Sequence, residues 1–189
     1  MKDLQEIIAK CKKQDTRAEY ALYKLCFTML MPICYRYSAS RDDALDLLNK
    51  GFYKILKNIT KYKEELEFSK WAKTILINSI IDEFRMAKKY KESQQVTDFT
   101  VFNNIDHPFD INKAEQKLSA EEVISQIGKL PNMSKEVMNL YVFEGLSHRE
   151  ISVSLNISEG TSRWHLSNAR SILKEKLGNV LSSLKMLIL

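Results

Sequence analysis

Between Thr161 and Lys174 the chain places three cations, Arg163, Arg170 and Lys174, beside a tryptophan, Trp164, and an asparagine, Asn168. Such a set is poor equipment for making or breaking bonds and good equipment for holding nucleic acid. Cations hold phosphates, an asparagine amide can read a base edge, and an aromatic face packs on bases. Successive residues of a helix turn by about 100°. On that wheel Ser162, Leu166, Ala169 and Leu173 face a core, while Arg163, Ser167, Arg170 and Lys174 make a basic flank. Trp164, Asn168 and Ser171 point away from the core, and His165 lies on the other flank, within reach of a phosphate. A tryptophan opposite the core fits a helix that docks on something, and a DNA major groove suits these residues. The other reading is an amphipathic helix whose tryptophan covers another part of the same protein.

The elements that must present this face can be read in "SHREISVSLNISEGTSRWHLSNARSILKEKL". Ser147 followed by Glu150 is a capping box that starts a short helix, with Ile151 and Leu155 on its inner face. "NIS" breaks that helix, and Ser158 can cap the next, longer one. Two helices joined by so short a turn cross steeply, which leaves the second projecting: a helix-turn-helix. His148, beside the first cap, is expected to be solvated.

A second stretch of interest lies upstream. A helix predicted from about Phe68 to Tyr90 carries a polar stripe, Thr74, Asn78, Asp82, Arg85 and Lys89, with Lys88 beside it. Phe68 and Trp71 have core spacing. Before it, residues 42–59 place Ala44, Leu45, Leu48, Phe52, Ile55, Leu56 and Ile59 on one face. The opposite face is Asp43, Asp46, Lys50, Tyr53 and Lys57, with Leu47 half exposed; an acidic pair beside such a leucine suits docking on a protein, although a merely solvated face is more common.

Between the two blocks "SQQVTDFTVFNNIDHPFDIN" loses the helical period and carries three aspartates, Asp98, Asp106 and Asp110, with no lysine or arginine. It reads as a flexible acidic linker. The fold class is therefore all-α, two small helical domains joined by that linker, with boundaries at 1–91, 92–116 and 117–189. The chain has 189 residues, 44% of them apolar and 28% charged, with a net charge of +5. A modest basic excess is compatible with an anionic partner. Five glycines and three prolines favour long helices over a many-stranded sandwich. Cys11, Cys26 and Cys34 have no metal-ligand spacing and read as reduced, buried thiols of a cytoplasmic protein. No Gly-rich phosphate loop and no ligand cluster is present in the sequence, so neither a metal nor a cofactor is expected. The start, "MKDLQEIIAKCKKQD", is unlike a signal peptide, and no apolar run is long enough to span a membrane.

"GLSHREISVSLNISEGTSRWHLSNARSILKEKL" resembles the promoter-reading C-terminal domain of bacterial RNA polymerase sigma factors, above all the extracytoplasmic-function (ECF) group of the sigma-70 family. "LPNMSKEVMNLYVFEGLS" is similar to the segment before that motif, "DDALDLLNKGF" to the helix that grips the polymerase clamp, and "FSKWAKTILINSIIDEFRMAKK" to the helix that recognises and opens the downstream promoter element. The resemblance implies a protein that is not an enzyme. Its implied partners are core polymerase, through the clamp and flap of the large subunits, and promoter DNA, double-stranded and melted; an inhibitory anti-sigma partner is left open. It implies contacts to the upstream (−35) element from Thr161, Ser162, Arg163, Trp164, His165, Ser167, Asn168, Arg170 and Lys174. Contacts to the downstream (−10) element fall to Asn78, Asp82, Arg85, Lys88 and Lys89, with Tyr62 and Lys63 as candidates for capturing an unstacked base. Asp43, Asp46, Leu47, Asn49 and Lys50 are implied to bind core polymerase. Two departures stand out. Asn49-Lys50-Gly51 replaces the usual glutamine-glutamate-small run, where Lys50 reverses a charge and Gly51 weakens the helix. Ser167-Asn168 replaces a basic pair, shifting weight to Trp164 and Asn168. A conventional dimeric helix-turn-helix regulator that never meets core polymerase is the alternative, and a helical adaptor without DNA contact a third.

Overall fold

A computed structural model of the protein describes residues 2–93 and 120–177, and the chain divides into two compact units, Met1–Met86 and Ala87–Leu189. Among the described residues there are eight α-helices and no strand. The linker aspartates Asp98, Asp106 and Asp110 and residues 178–189 lie outside the described residues.

The first unit is built from α1 (Lys2–Cys11), α2 (Thr16–Tyr37), α3 (Arg41–Asn58) and the part of α4 (Phe68–Ser93) up to Met86, with a single 3-10 turn, Ile59–Lys61, after α3. Short side chains set the helix starts. The Asp15 carboxylate accepts the Ala18 N–H at 2.9 Å, and the Ser40 hydroxyl accepts the Asp43 N–H at 3.0 Å. Each bond satisfies an N–H that the helix itself leaves open. Ile8, Leu22, Leu30, Leu48, Ile55 and Leu76 are fully buried between these helices. Each such side chain contributes about 1.5–3 kcal/mol relative to exposure. All three cysteines are free and buried, and burial pushes the Cys26 and Cys34 thiols up to about 12, which leaves them inert.

Gly51 needs more than the helix-weakening account that its sequence suggests. It is buried on α3, and a Cβ there would stand 2.5 Å from Cδ1 of the fully buried Leu76 on α4. The missing side chain is what lets the two helices approach.

The second unit contains α5 (Ala120–Gly128), α6 (Asn132–Val142), α7 (His148–Leu155) and α8 (Glu159–Leu177). The α6–α7 turn passes through Gly145 at φ +71, a left-handed conformation that glycine adopts freely. Residues 134–140 of α6 are all buried, Lys135 and Glu136 among them. The Lys135 ammonium reaches the Gly128 carbonyl at 3.4 Å, whereas Oε2 of Glu136 has no hydrogen-bond partner. Burial pushes the Glu136 carboxyl up to about 8, against the opposing pull of the Lys135 cation.

Two outcomes follow from this packing. Gly51→Ala gains up to about 1 kcal/mol of helix propensity but overpacks a closed site at about 1–3 kcal/mol. A lower urea midpoint is therefore expected; a higher one would show that Leu76 repacks freely. For Glu136 the folded pKa lies above the unfolded value of 4.5, so its share of stability is complete below pH 4.5 and is lost as pH rises toward about 8. Glu136→Gln should match the wild-type melting temperature near pH 4.5 and exceed it by several degrees near pH 8, in thermal melts across that range.

Candidate nucleic-acid and polymerase interfaces

In the second unit the predicted helix-turn-helix is present. Ser147 Oγ accepts the Glu150 N–H at 3.3 Å, and the Glu150 carboxylate accepts the Ser147 N–H at 2.8 Å, which completes the capping box. That pairing, through the Ser147 hydroxyl first, holds the Glu150 pKa below the ordinary carboxylate range. Asn156 ends α7 in the left-handed conformation, φ 51, a position asparagine tolerates better than most residues. Ser158 Oγ then accepts the Thr161 N–H at 3.0 Å and starts α8. Ser162, Leu166, Ala169, Leu173 and Leu177 form the buried stripe of α8.

The outer face of α8 presents Thr161, Arg163, Trp164, Ser167, Ser171 and Lys174, all exposed. Trp164 is 61% exposed, a large value for so apolar a group. Arg163 pairs with Glu159 at 3.0 Å.

Three predicted contacts, Ser162, Asn168 and His165, and the expectation for His148 are corrected. Ser162 is fully buried, with its hydroxyl 2.9 Å from Nδ1 of His148. His148 is accordingly only partly solvated: its ring stacks on Tyr141 at 4.8 Å, and burial, then the Arg163 cation, lowers its pKa. Asn168 does not point outward, since its Nδ2 donates to Ser134 Oγ at 3.1 Å across to α6. His165 lies 3.1 Å from the same Ser134 oxygen, and burial lowers its pKa, so it is a neutral spacer rather than a phosphate-binding cation. Ser162 lies on the core face of the wheel, and only the DNA contact that the resemblance implies is overturned; Asn168 and His165 share another physical reason. The wheel treats α8 as packed from one side, whereas α7 and α6 hold it from two, and Ser134 of α6 closes the flank carrying His165 and Asn168. Arg170 is half-buried, its guanidinium 6.0 Å from the Tyr141 ring centre, so it braces the unit as well as lending charge. Ser134 and Tyr141 are supporting residues that sequence reasoning missed, and a lone serine between Met133 and Lys135 carries no signal of this role. The His165 ring meets Trp164 edge-on at 4.8 Å, so Ser134 and His165 together steady the exposed indole.

In the first unit Asp43, Asp46, Asn49 and Lys50 are exposed on α3 and Leu47 is half-buried, as expected. These side chains are not idle. Asp43 accepts the Ser40 hydroxyl at 2.7 Å, and Asn49 accepts the Tyr23 hydroxyl at 3.0 Å. Lys50 lies 2.7 Å from Asp46 and 3.1 Å from Glu83 of α4. Its pKa is raised, by Asp46 first and then Glu83.

On α4 the stripe Thr74, Asn78, Asp82, Arg85 and Lys89 is exposed and Lys88 is half-buried. Asp82 pairs with Lys54 of α3 at 3.0 Å. Tyr62 is corrected as a base-capturing residue: it is 3% exposed, donates its hydroxyl to the Leu66 carbonyl at 2.6 Å, and packs on Phe68 and Trp71. An aromatic ring on a chain leaving a 3-10 turn is drawn under the nearest apolar cover, here the start of α4. Lys63 is exposed, and Phe68 is core as read; Trp71 is only half-buried. Trp71 instead lines an open groove of about 300 Å³ with Lys54, Asn58, Lys61, Asn78 and Asp82. Amides, cations and an aromatic wall of this kind suit a nucleobase. The loop position drew attention to Tyr62, one turn from the residues that form the groove.

Among the described residues no group of three or more His, Cys, Asp or Glu side chains is placed to hold a metal ion, and no helix is long and apolar enough to cross a membrane.

An all-helical chain with one helix-turn-helix and a second unit bearing its own basic, groove-lined helix defines a class: two-part DNA-reading proteins of transcription. Comparison with known families fixes which. Residues 22–90 match the Sigma-70 region 2 family and residues 120–173 match the Sigma-70, region 4 family. The chain is 30% identical over 135 residues to the RNA polymerase sigma factor SigZ of Bacillus subtilis, covering 70% of this chain and 71% of that protein. It is 27% identical over 187 residues to the ECF RNA polymerase sigma factor SigW of the same organism, covering 92% and 96%. The ECF RNA polymerase sigma-E factor of Haemophilus influenzae is 22% identical over 179 residues, at 92% and 94% coverage. The chain belongs to the sigma-70 family, in its ECF group. It binds core RNA polymerase and directs promoter-specific initiation, and the stand-alone dimeric regulator is not favoured.

The Asn168 correction has a direct check without DNA. Asn168→Ala should destabilise the free protein by about 1 kcal/mol, the usual value of one such hydrogen bond. A melting temperature equal to wild type would return Asn168 to the outer face.

Proposed function

We propose that residues 1–91 bind core polymerase and read and open the downstream promoter element, that residues 117–189 read the upstream element, and that 92–116 link them. In the first part Asp43, Asp46, Leu47, Asn49 and Lys50 meet the polymerase clamp. Arg85, Lys88 and Lys89 hold the phosphate backbone, Lys63 guides it from the loop, and Asn78 with Trp71 offers the groove to one unstacked base. Extruding a base costs a few kcal/mol, which stacking and hydrogen bonding in a pocket must offset. In the second part Thr161, Arg163, Ser167 and Lys174 hold and orient the major groove, while Trp164 packs on the bases, a thymine methyl being its best partner. Nucleotide addition belongs to the polymerase, so this chain carries out no chemical step, and it works in the cytoplasm where the polymerase is.

The observation that carries the reading is the exposure of Trp164 among cations on α8, since an indole left in water on a helix held from two sides is explained by a partner. In vitro transcription with purified bacterial core polymerase and a pool of genomic promoters tests it. Wild type should direct initiation to a defined set sharing an upstream motif. Trp164→Ala should lose about tenfold or more at those promoters, one good base contact being worth about 1–3 kcal/mol. Unchanged promoter selection by that variant would remove Trp164 from the reading.

A further inference from the structure

Asp82 stands in the middle of a face that must approach a polyanion. It lies one turn after Asn78 and shortly before Arg85, Lys88 and Lys89, and it is exposed. A bare carboxylate there would repel the phosphate backbone that its neighbours attract. It is not bare. Lys54 of α3 reaches across to it at 3.0 Å, and one turn earlier on α3 Lys50 reaches the adjacent Glu83 at 3.1 Å. Two lysines spaced i, i+4 on one helix thus cover two consecutive carboxylates on the other. Lys54 and Asp82 also line the same groove as Asn78 and Trp71, so the pair sits at the rim where a nucleotide would enter.

We propose that Lys54 is a positioning residue for promoter DNA: it cancels the charge of Asp82 and pins that carboxylate, so that the phosphate backbone can lie along α4 beside the groove. This rests on reading α4 as the downstream DNA face. Lys54 acts through Asp82 and does not itself hold a phosphate. Lys50 does the same for Glu83 while also serving α3. Both pairs are partly exposed, and exposed pairs add little to folding stability. Their effect is felt when DNA excludes the water that screens them.

The test is a charge-rescue cycle on the complete holoenzyme, core polymerase with the full chain. Binding to a fluorescent promoter fragment, taken from a start site that the wild type directs, is measured across a salt series. Lys54→Met should weaken binding about tenfold at low salt, as one exposed like charge enters the interface. The double variant Lys54→Met/Asp82→Asn should return to within about threefold of wild type, because nothing is left to mask. If Lys54 instead touches a phosphate, the double variant stays as weak as the single one, and both lose about one from the salt slope. That result overturns the proposal, as does a Lys54→Met protein that binds like wild type. Arg85→Ala and Lys89→Ala are run alongside: if neither weakens binding, the reading of α4 as the DNA face fails, and failure of the rescue alone leaves that reading standing. Melting temperatures of all variants within a few degrees of wild type exclude misfolding.

Discussion

The close crossing of α3 on α4 is the constraint on which the first unit depends. Gly51 has no Cβ to hold the helices apart, and Leu76 fills the space a methyl would have taken. At that separation lysines at 50 and 54 reach carboxylates at 83 and 82, and residues of both helices share the walls of one groove. A wider crossing would leave long side chains to span the gap at a cost in rotamer entropy. The faces of α3 and α4 proposed to meet polymerase and DNA are therefore mechanically one piece.

The second unit solves a different problem, presenting a helix while holding it still. α8 buries a stripe at 162, 166, 169, 173 and 177, and α6 and α7 clasp it from two sides. What remains outside is narrow, and most of it is hydroxyl, cation and indole. Ser134 receives both His165 and Asn168, so one buried hydroxyl orients two side chains on α8. With His165 kept neutral by burial, its ring is an edge for Trp164 to lean on, which leaves the indole ordered before any partner arrives. A side chain already in place loses less entropy on binding.

Much of this was legible in the sequence. The capping box at Ser147 and Glu150, the break at "NIS" and the inner stripe of α8 are local features, set by hydrogen bonds and periodicity within a few residues. The outward faces of α3 and α4 were legible for the same reason. What failed was non-local. Asn168 and His165 were placed by a wheel that knows one packing side, and their real partner, Ser134, lies 34 and 31 residues away in the chain. Tyr62 was read as a loop aromatic, but its fate is settled by Phe68 and Trp71 across the turn. Glycine 51 looked like a weakness because propensity is a property of one helix and close approach a property of two.

The positions at which this chain departs from its family's usual pattern turn out to be compensated locally. Lys50 brings a cation to a face where an acid is usual, yet it is bound between Asp46 and Glu83, so the face proposed to dock on polymerase gains a neutralised cluster more than a repulsive charge. Gly51, next to it, supplies the closeness that makes the Glu83 bond possible. Ser167 and Asn168 remove two cations from the recognition helix, but Asn168 is spent on α6, leaving Ser167 small beside Trp164. On the proposed reading the α8 departure gives up phosphate contacts, which position without specifying, and leaves the exposed Trp164 as the group able to meet bases.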